Sequence, residues 1–195
     1  MFNMIEEVLE DLQKGKIICL ADNEDLENEI DMMCLAKYAS TENINYMIKN
    51  ARGLVCCAMD DEACERLGLE PMIYDNAMVD RLGTPFYQSL DLNNGSTGVS
   101  AVHRGRTARR IATATARLSD FVSPGHLFTL RVKPGLLKER LGHTEGSVTL
   151  AKMCEQIADI ICEIIKDNGE MLTLKDFKSW NKNKNLKLLS IEQLM

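Results

Sequence analysis

The sequence predicts an α+β protein, α/β-like in its rhythm: one compact domain over residues 1–195, with a mixed β-sheet flanked by helices. Three observations point there. Apolar runs of strand length recur at Ile17–Ala21, Leu54–Met59, Leu127–Val132 and Ile160–Ile165. Between them lie stretches whose apolar residues fall at helical spacing. The turn Asp167-Asn168-Gly169 reads as a hairpin, which interrupts the strand–helix alternation of an all-parallel sheet. At 195 residues, 45% hydrophobic and 27% charged, the chain can bury a proper core.

Taken in order, residues 4–14 carry Ile5, Val8, Leu9 and Leu12 on one helical face, with Asn3 and Glu6 as a capping pair and Gly15 as the stop. The strand Ile17–Ala21 follows, then an acidic segment. Thr41 opens a helix with Ile44, Met47 and Ile48 inward, ending near Gly53. Leu54–Met59 is a buried strand, and 60–67 a short helix stopped by Gly68. Phe86–Leu92 reads as a strand and Asn93-Asn94-Gly95 as a turn. The spacing predicts a helix over 105–118 with Ile111, Thr115 and Leu118 inward. A strand at Leu127–Val132, a turn at Pro134-Gly135 and a helix from Ser147 come next. The β-branched run Ile160–Ile165, the hairpin into 170–174, a helix over about 175–184 and a strand over 186–191 close the chain.

A net charge of −6 argues against a general nucleic-acid binder, whose affinity rests on neutralising phosphates. No apolar run reaches membrane-spanning length and no signal peptide is visible, so neither a membrane nor nucleic acid is an expected partner. Seven scattered cysteines, none in a Cys-x-x-Cys pair, fit reduced thiols in a cytoplasmic protein better than disulfides or structural zinc.

The chemistry concentrates first in Asp22–Asp31, which packs six carboxylates into ten residues directly after the first strand. Like charges at that density repel unless a cation offsets them, so the segment is either a solvated acidic loop or half of a cation site. It lacks the glycine that a calcium-binding EF-hand loop requires at its sixth position. Downstream, Arg140-Leu141-Gly142-His143-Thr144-Glu145 offers one of only three histidines; a carboxylate from the first segment and this imidazole would suit magnesium or manganese. His126 stands in a second Gly-His context. Glu163 interrupts an otherwise apolar run, where burial would raise its pKa unless it is paired, or where an edge strand would leave it in water. The loop Asn94–Ser100, followed by Arg104 and Arg106, reads equally as a phosphate cradle or a plain turn.

In this order the motifs resemble those of 3,4-dihydroxy-2-butanone 4-phosphate synthases. The matching pieces are Asp22-Asn-Glu-Asp-Leu-Glu-Asn-Glu29, Ala51-Arg-Gly-Leu-Val-Cys56, Leu67-Gly-Leu-Glu-Pro-Met72, Ser96-Thr-Gly-Val-Ser-Ala101, Pro124-Gly-His-Leu-Phe128, Gly142-His-Thr-Glu145 and Cys162-Glu163, from about Gly15 to Leu194. The resemblance implies conversion of ribulose 5-phosphate to dihydroxybutanone phosphate and formate, with Mg2+ (or Mn2+), by a homodimer with active sites at its interface. It also implies roles. Glu27 and His143 bind the metal. Leu26, Glu27, Asp31, Thr97, Arg140, Gly142, His143, Thr144 and Glu163 line the substrate. His126 and Glu163 transfer protons with Asp31 beside them, and Cys56 stands in the active-site wall. The pattern departs at Leu26 (arginine in the family), Asn23 (an acid), Leu82 (tyrosine), His103 (aspartate) and Leu141 (glycine). Metal and proton-transfer positions are kept while substrate-facing ones change. That leaves open related enediol chemistry on another sugar phosphate, or a non-catalytic homologue that binds one.

Overall fold

The computed structural model describes residues 2–23, 26–72 and 83–195. A seven-stranded mixed sheet runs through it. In chain order the elements are α1 (Ile5–Gln13), β1 (Ile18–Ala21), β2 (Ile30–Leu35), α2 (Thr41–Asn50), β3 (Cys56–Met59), α3 (Asp61–Leu67), β4 (Phe86–Leu92), α4 (Ala101–Ile111), β5 (Phe121–Arg131), α5 (His143–Met153), β6 (Ala158–Glu163), α6 (Leu174–Trp180) and β7 (Leu188–Ser190). Short 3₁₀ turns fill some of the connections. The spatial order is β4-β5-β3-β6-β2-β1-β7. Only β3/β5 and β1/β7 are parallel; the other neighbours run antiparallel. This is the expected α+β class.

The sheet is buried on both faces. Alternate residues of each central strand serve two separate cores. Cys19, Met32, Cys34, Cys57 and Ile160 face a layer built from α2, α3, α4 and α6. Ile18, Leu20, Met33, Cys56 and Ile161 face α1 and α5. Covering both faces explains why β1, β2 and β3 are buried at every position and read as continuous apolar runs rather than alternating ones. All seven cysteines are free and buried.

Several boundaries differ from the sequence reading. The cap of α1 uses Glu7, not Glu6: its Oε2 accepts from the Met4 N–H and from the Asn3 amide, both at 3.2 Å. Ile30–Leu35, which sequence reading leaves without an element, is a central strand. The helix expected over 105–118 spans Ala101–Ile111 instead, with Ser100 Oγ accepting from His103 N–H at 3.2 Å as its cap. Ile111 is inward as expected, whereas Thr115 and Leu118 are exposed beyond the helix end. Gly105 is what disguises the true start. It sits inside α4 because a Cβ there would lie 2.7 Å from the Ala39 carbonyl oxygen of the neighbouring chain segment.

Likewise α5 begins at His143 rather than Ser147, and β5 begins at Phe121 rather than Leu127. The Asp167-Asn168-Gly169 turn forms, with Gly169 at φ +87°. It yields one bridge, Ile165 to Met171, rather than a full hairpin. Among the described residues no helix is long and apolar enough to cross a membrane.

Candidate active site

The site forms at the sheet end where β1 stops. Asp22, the first residue past that strand, accepts the Glu27 N–H on Oδ2 (2.7 Å) and the Glu29 N–H on Oδ1 (2.8 Å). One carboxylate thus folds the acidic segment back on itself, and Asn28 takes φ +55° to close the loop. This turn brings Glu27 to the first turn of α5, where its Oε2 lies 3.1 Å from His143 Nδ1. Donor atoms of Asp22, Glu27 and His143 all fall within 4.8 Å of one another. Leu26 sits at the same place, lining a cavity of about 60 Å³ with Asp22, Glu27, Arg140, Leu141 and Gly142.

Gly142 caps α5 with extended backbone, and any side chain there would strike Arg140, whose Nη1 is 2.0 Å from the ideal Cβ position. Arg140 is held in turn by Glu145 (Nη1 to Oε2, 2.6 Å) and by Thr84 Oγ1 (3.2 Å). Glu145 is fully buried and also accepts the Lys133 N–H. The guanidinium is therefore fixed by a charge-assisted bond at the helix start, a region whose free N–H groups favour anions. Thr144 is buried beside His143, and its carbonyl accepts the Ser147 hydroxyl.

The β2–β6 register sets Asp31 directly opposite Glu163. Both side chains point to the α5 face, as Met33 and Ile161 two residues along their strands do. Glu163 is neither wholly buried nor free in water, the two cases left open by its sequence. It is half-buried and its Oε2 accepts the Leu54 N–H at 2.8 Å. Gly53 makes that possible, since a Cβ there would lie 2.3 Å from the Glu163 carbonyl oxygen and 2.6 Å from its Oε2. The residue that carries the desolvated acid is Asp31. Burial pushes its carboxyl up to about 8; the nearby His143 ring opposes this, while Glu163, Glu27 and Glu29 add to it. Burial, then Glu27, lifts Glu29 to about 7. For His143 burial works against the charged ring, but Asp31, Glu27 and Asp22 outweigh it and raise the imidazole to about 10.

These donors fit a hard divalent cation: clustered carboxylates that raise one another's pKa, one imidazole, and two buried polar atoms, His143 Nε2 and Asp31 Oδ1, without a hydrogen-bond partner among the described residues. Cys56 lines β3 on the same face, but burial pushes its thiol well above the ordinary range, so it stands there as a neutral wall residue.

His126 does not join this cluster. Its Nδ1 lies 2.6 Å from Asp91 Oδ2 instead. Thr97 is exposed in the loop before α4, which forms as a turn. On α4 itself, His103 Nδ1 and Arg104 Nε are buried without partners among the described residues, while Arg106 faces solvent. Leu82 lies outside the described residues. Sequence reasoning missed Asp22 as a third donor, although its place just past β1 signalled it. It also missed Asp91, for which no local signal exists.

The chain matches the family model described as 3,4-dihydroxy-2-butanone 4-phosphate synthase over residues 6–195. It is 43% identical over its whole length to the riboflavin biosynthesis protein RibBA of Bacillus mycoides and 42% identical to that of Bacillus cytotoxicus. In both cases it spans about half of the relative, 49% of its length. Among solved structures it superposes on a two-domain 3,4-dihydroxy-2-butanone 4-phosphate synthase from A. baumannii with TM-score 0.93 at 36% identity, covering 98% of this chain and 56% of that one. It also superposes on a 3,4-dihydroxy-2-butanone 4-phosphate synthase in complex with two magnesium ions, with TM-score 0.93 at 29% identity, covering 99% and 95%. The corresponding enzyme of Candida albicans gives 0.90 at 35% identity, covering 100% and 96%.

Proposed function

The chain belongs to the 3,4-dihydroxy-2-butanone 4-phosphate synthase family, and on that premise we propose that it converts D-ribulose 5-phosphate to 3,4-dihydroxy-2-butanone 4-phosphate and formate, as a lyase of riboflavin biosynthesis. The observation that carries this reading is the meeting of Asp22, Glu27 and His143 at one end of the sheet, with Asp31 and Glu163 side by side beneath them.

Glu27 and His143, joined by Asp22, would hold Mg2+ (or Mn2+), which supplies Lewis-acid polarisation of the substrate's carbonyl oxygen. This chain's own groups do the rest. Arg140, fixed by Glu145, and the N–H groups at Gly142, His143 and Thr144 suit the phosphate end. Leu26 would line the remainder of the substrate, with Thr97, which lies beside the Asp91–His126 pair, reaching it from a second copy. Asp31, with its carboxyl near about 8, can hydrogen-bond a sugar hydroxyl as donor or acceptor close to neutral pH. Glu163, oriented by the Leu54 N–H, and His126, oriented by Asp91 and brought to the acid cluster from a second copy across a dimer interface, would exchange the protons that enolisation, dehydration and rearrangement require.

We further infer a homodimer with sites at the interface. Val99, Val102 and Val122 expose apolar surface on segments bordering Asp91 and His126, an edge that a second copy would cover. Seven buried free thiols suit the reducing cytoplasm. Incubation with ribulose 5-phosphate and magnesium, followed by proton NMR, should show one formate per substrate consumed. A folded, magnesium-binding protein that releases no formate would overturn the assignment.

A further inference from the structure

Asp91 and His126 form a built pair apart from the acid cluster. Asp91 Oδ1 accepts the His126 backbone N–H at 2.9 Å and Oδ2 meets its ring Nδ1 at 2.6 Å. The Asp91 side chain is 8% exposed and that of His126 51%, so the carboxylate is the buried anchor and the ring the exposed end. The backbone is shaped around this contact. Pairing between β4 and β5 jumps from Leu90–Leu127 to Asp91–Val122, which leaves Ser123 to His126 as a bulge. Gly125 packs so closely that a Cβ would lie 2.2 Å from the Leu90 carbonyl carbon, and its N–H donates to Ser89 Oγ at 3.1 Å. Gly98, at φ +75°, closes over the far side, where a Cβ would lie 2.0 Å from Asp91 Oδ2. Arg104 on α4 is near enough to feel the Asp91 charge.

We propose that Asp91 is a positioning residue that fixes His126 as its Nδ1–H tautomer and so presents a bare Nε2 as the base. An ionised carboxylate only accepts hydrogen bonds, so Nδ1 must donate; a neutral imidazole carries one N–H, so Nε2 keeps its lone pair. When Nε2 takes a proton from substrate, the ring becomes imidazolium, stabilised by the Asp91 charge. The same Nε2 returns that proton in a later step, and Asp91 never gains it. This rests on the reading above that His126 transfers a proton. A purely structural Asp91 would need only its bond to the His126 backbone.

The test is imidazole nitrogen NMR on the 15N-histidine-labelled full chain at about pH 9, above the usual imidazole range. With three histidines the spectrum is assignable by single substitutions. Wild type should show His126 protonated on Nδ1. In Asp91→Asn the side-chain amide can donate to Nδ1 while its oxygen still accepts the backbone N–H, so the proton should move to Nε2. With it kcat should fall about 100-fold, the usual reach of general-base catalysis, at little change in KM; Asp91→Glu should recover part of the loss. An Nε2–H tautomer in wild type overturns the proposal without recourse to any variant. So does an Asp91→Asn protein whose tautomer or kcat is unchanged. Should wild type release no formate yet show the Nδ1–H form that Asp91→Asn reverses, the tautomer assignment stands and the reaction reading falls.

Discussion

His143 Nδ1 lies 3.1 Å from Glu27 Oε2, although 116 positions separate the two residues in the chain. The contact joins the loop after β1 to the first turn of α5, and Asp22 serves both sides of it by tying the loop and adding a third donor. Glu27→Gln and His143→Ala should each weaken magnesium binding, by about 10- to 100-fold, as loss of one ligand or its orienting partner commonly does. Calorimetry on the purified variants decides this, and an unchanged affinity would remove the two residues from the metal site.

Magnesium should also act on stability. An ion that binds only the folded chain adds about 2.7 kcal/mol at a concentration one hundred times its dissociation constant. For a chain of this size that corresponds to a rise in Tm of roughly 5–10 °C. EDTA should reverse it, and the Glu27→Gln protein, with its site weakened about 10- to 100-fold, should show about half of it or less at the same magnesium concentration. Identical melting curves with and without magnesium would contradict binding at the buried acids.

Gly53 is the contact that holds Glu163 in place. Gly53→Ala would force a methyl group against the Glu163 carbonyl oxygen and Oε2, breaking the bond from Gly53 N–H to Glu163 O (3.1 Å) and that from Leu54 N–H to Oε2 (2.8 Å). The expected loss is about 2–3 kcal/mol in denaturant unfolding, with formate production reduced beyond what the unfolded fraction explains. A variant as stable and active as wild type would show that the strands move apart at little cost.

Asp159, on β6, is fully buried beneath α5, and neither carboxylate oxygen has a hydrogen-bond partner among the described residues. Burial holds its carboxyl well above 3.8; Ser147 is close enough to ease this slightly, although its hydroxyl donates to the Thr144 carbonyl instead, and Asp31 adds to the rise. The folded chain therefore keeps a proton that the unfolded chain releases from about pH 4 upward. Stability present below that pH is lost as pH rises toward the folded value. Asp159→Ala should flatten that slope and, near pH 7, gain about 1–3 kcal/mol, the usual cost of an unpaired buried polar group. Melting curves from pH 4 to 8 test it; a destabilised variant at pH 7 would mean the carboxyl has a compensating partner.

Leu26 lies in the small cavity shared by Asp22, Glu27 and Arg140. Leu26→Arg would add a guanidinium beside the acids, at the position where the family carries arginine. Turnover of ribulose 5-phosphate should rise about 10- to 100-fold, since a charge-assisted hydrogen bond is worth about 1.5–3 kcal/mol. No gain in a folded variant would point to a substrate that does not need that charge.

Local signals in the sequence determined much of this protein. Asp60 and Gly68 bracket α3 as cap and left-handed stop, Phe86–Leu92 spans β4 as expected, and the acid run falls just past β1. Each of these depends on a residue's own backbone preference or on spacing within one element, which neighbouring residues suffice to specify. Tertiary structure alone decided the rest. Ile30–Leu35 is a central strand because helices cover both faces of the sheet, so it shows no alternation to read. Gly105 belongs inside α4 only because the chain at Ala39 passes within 2.7 Å of where its Cβ would be. Asp91 reaches His126 through a bulge between two strands, and Asp31 meets Glu163 through a strand register. Such pairings are fixed by packing across the sheet, and no stretch of sequence carries that information by itself.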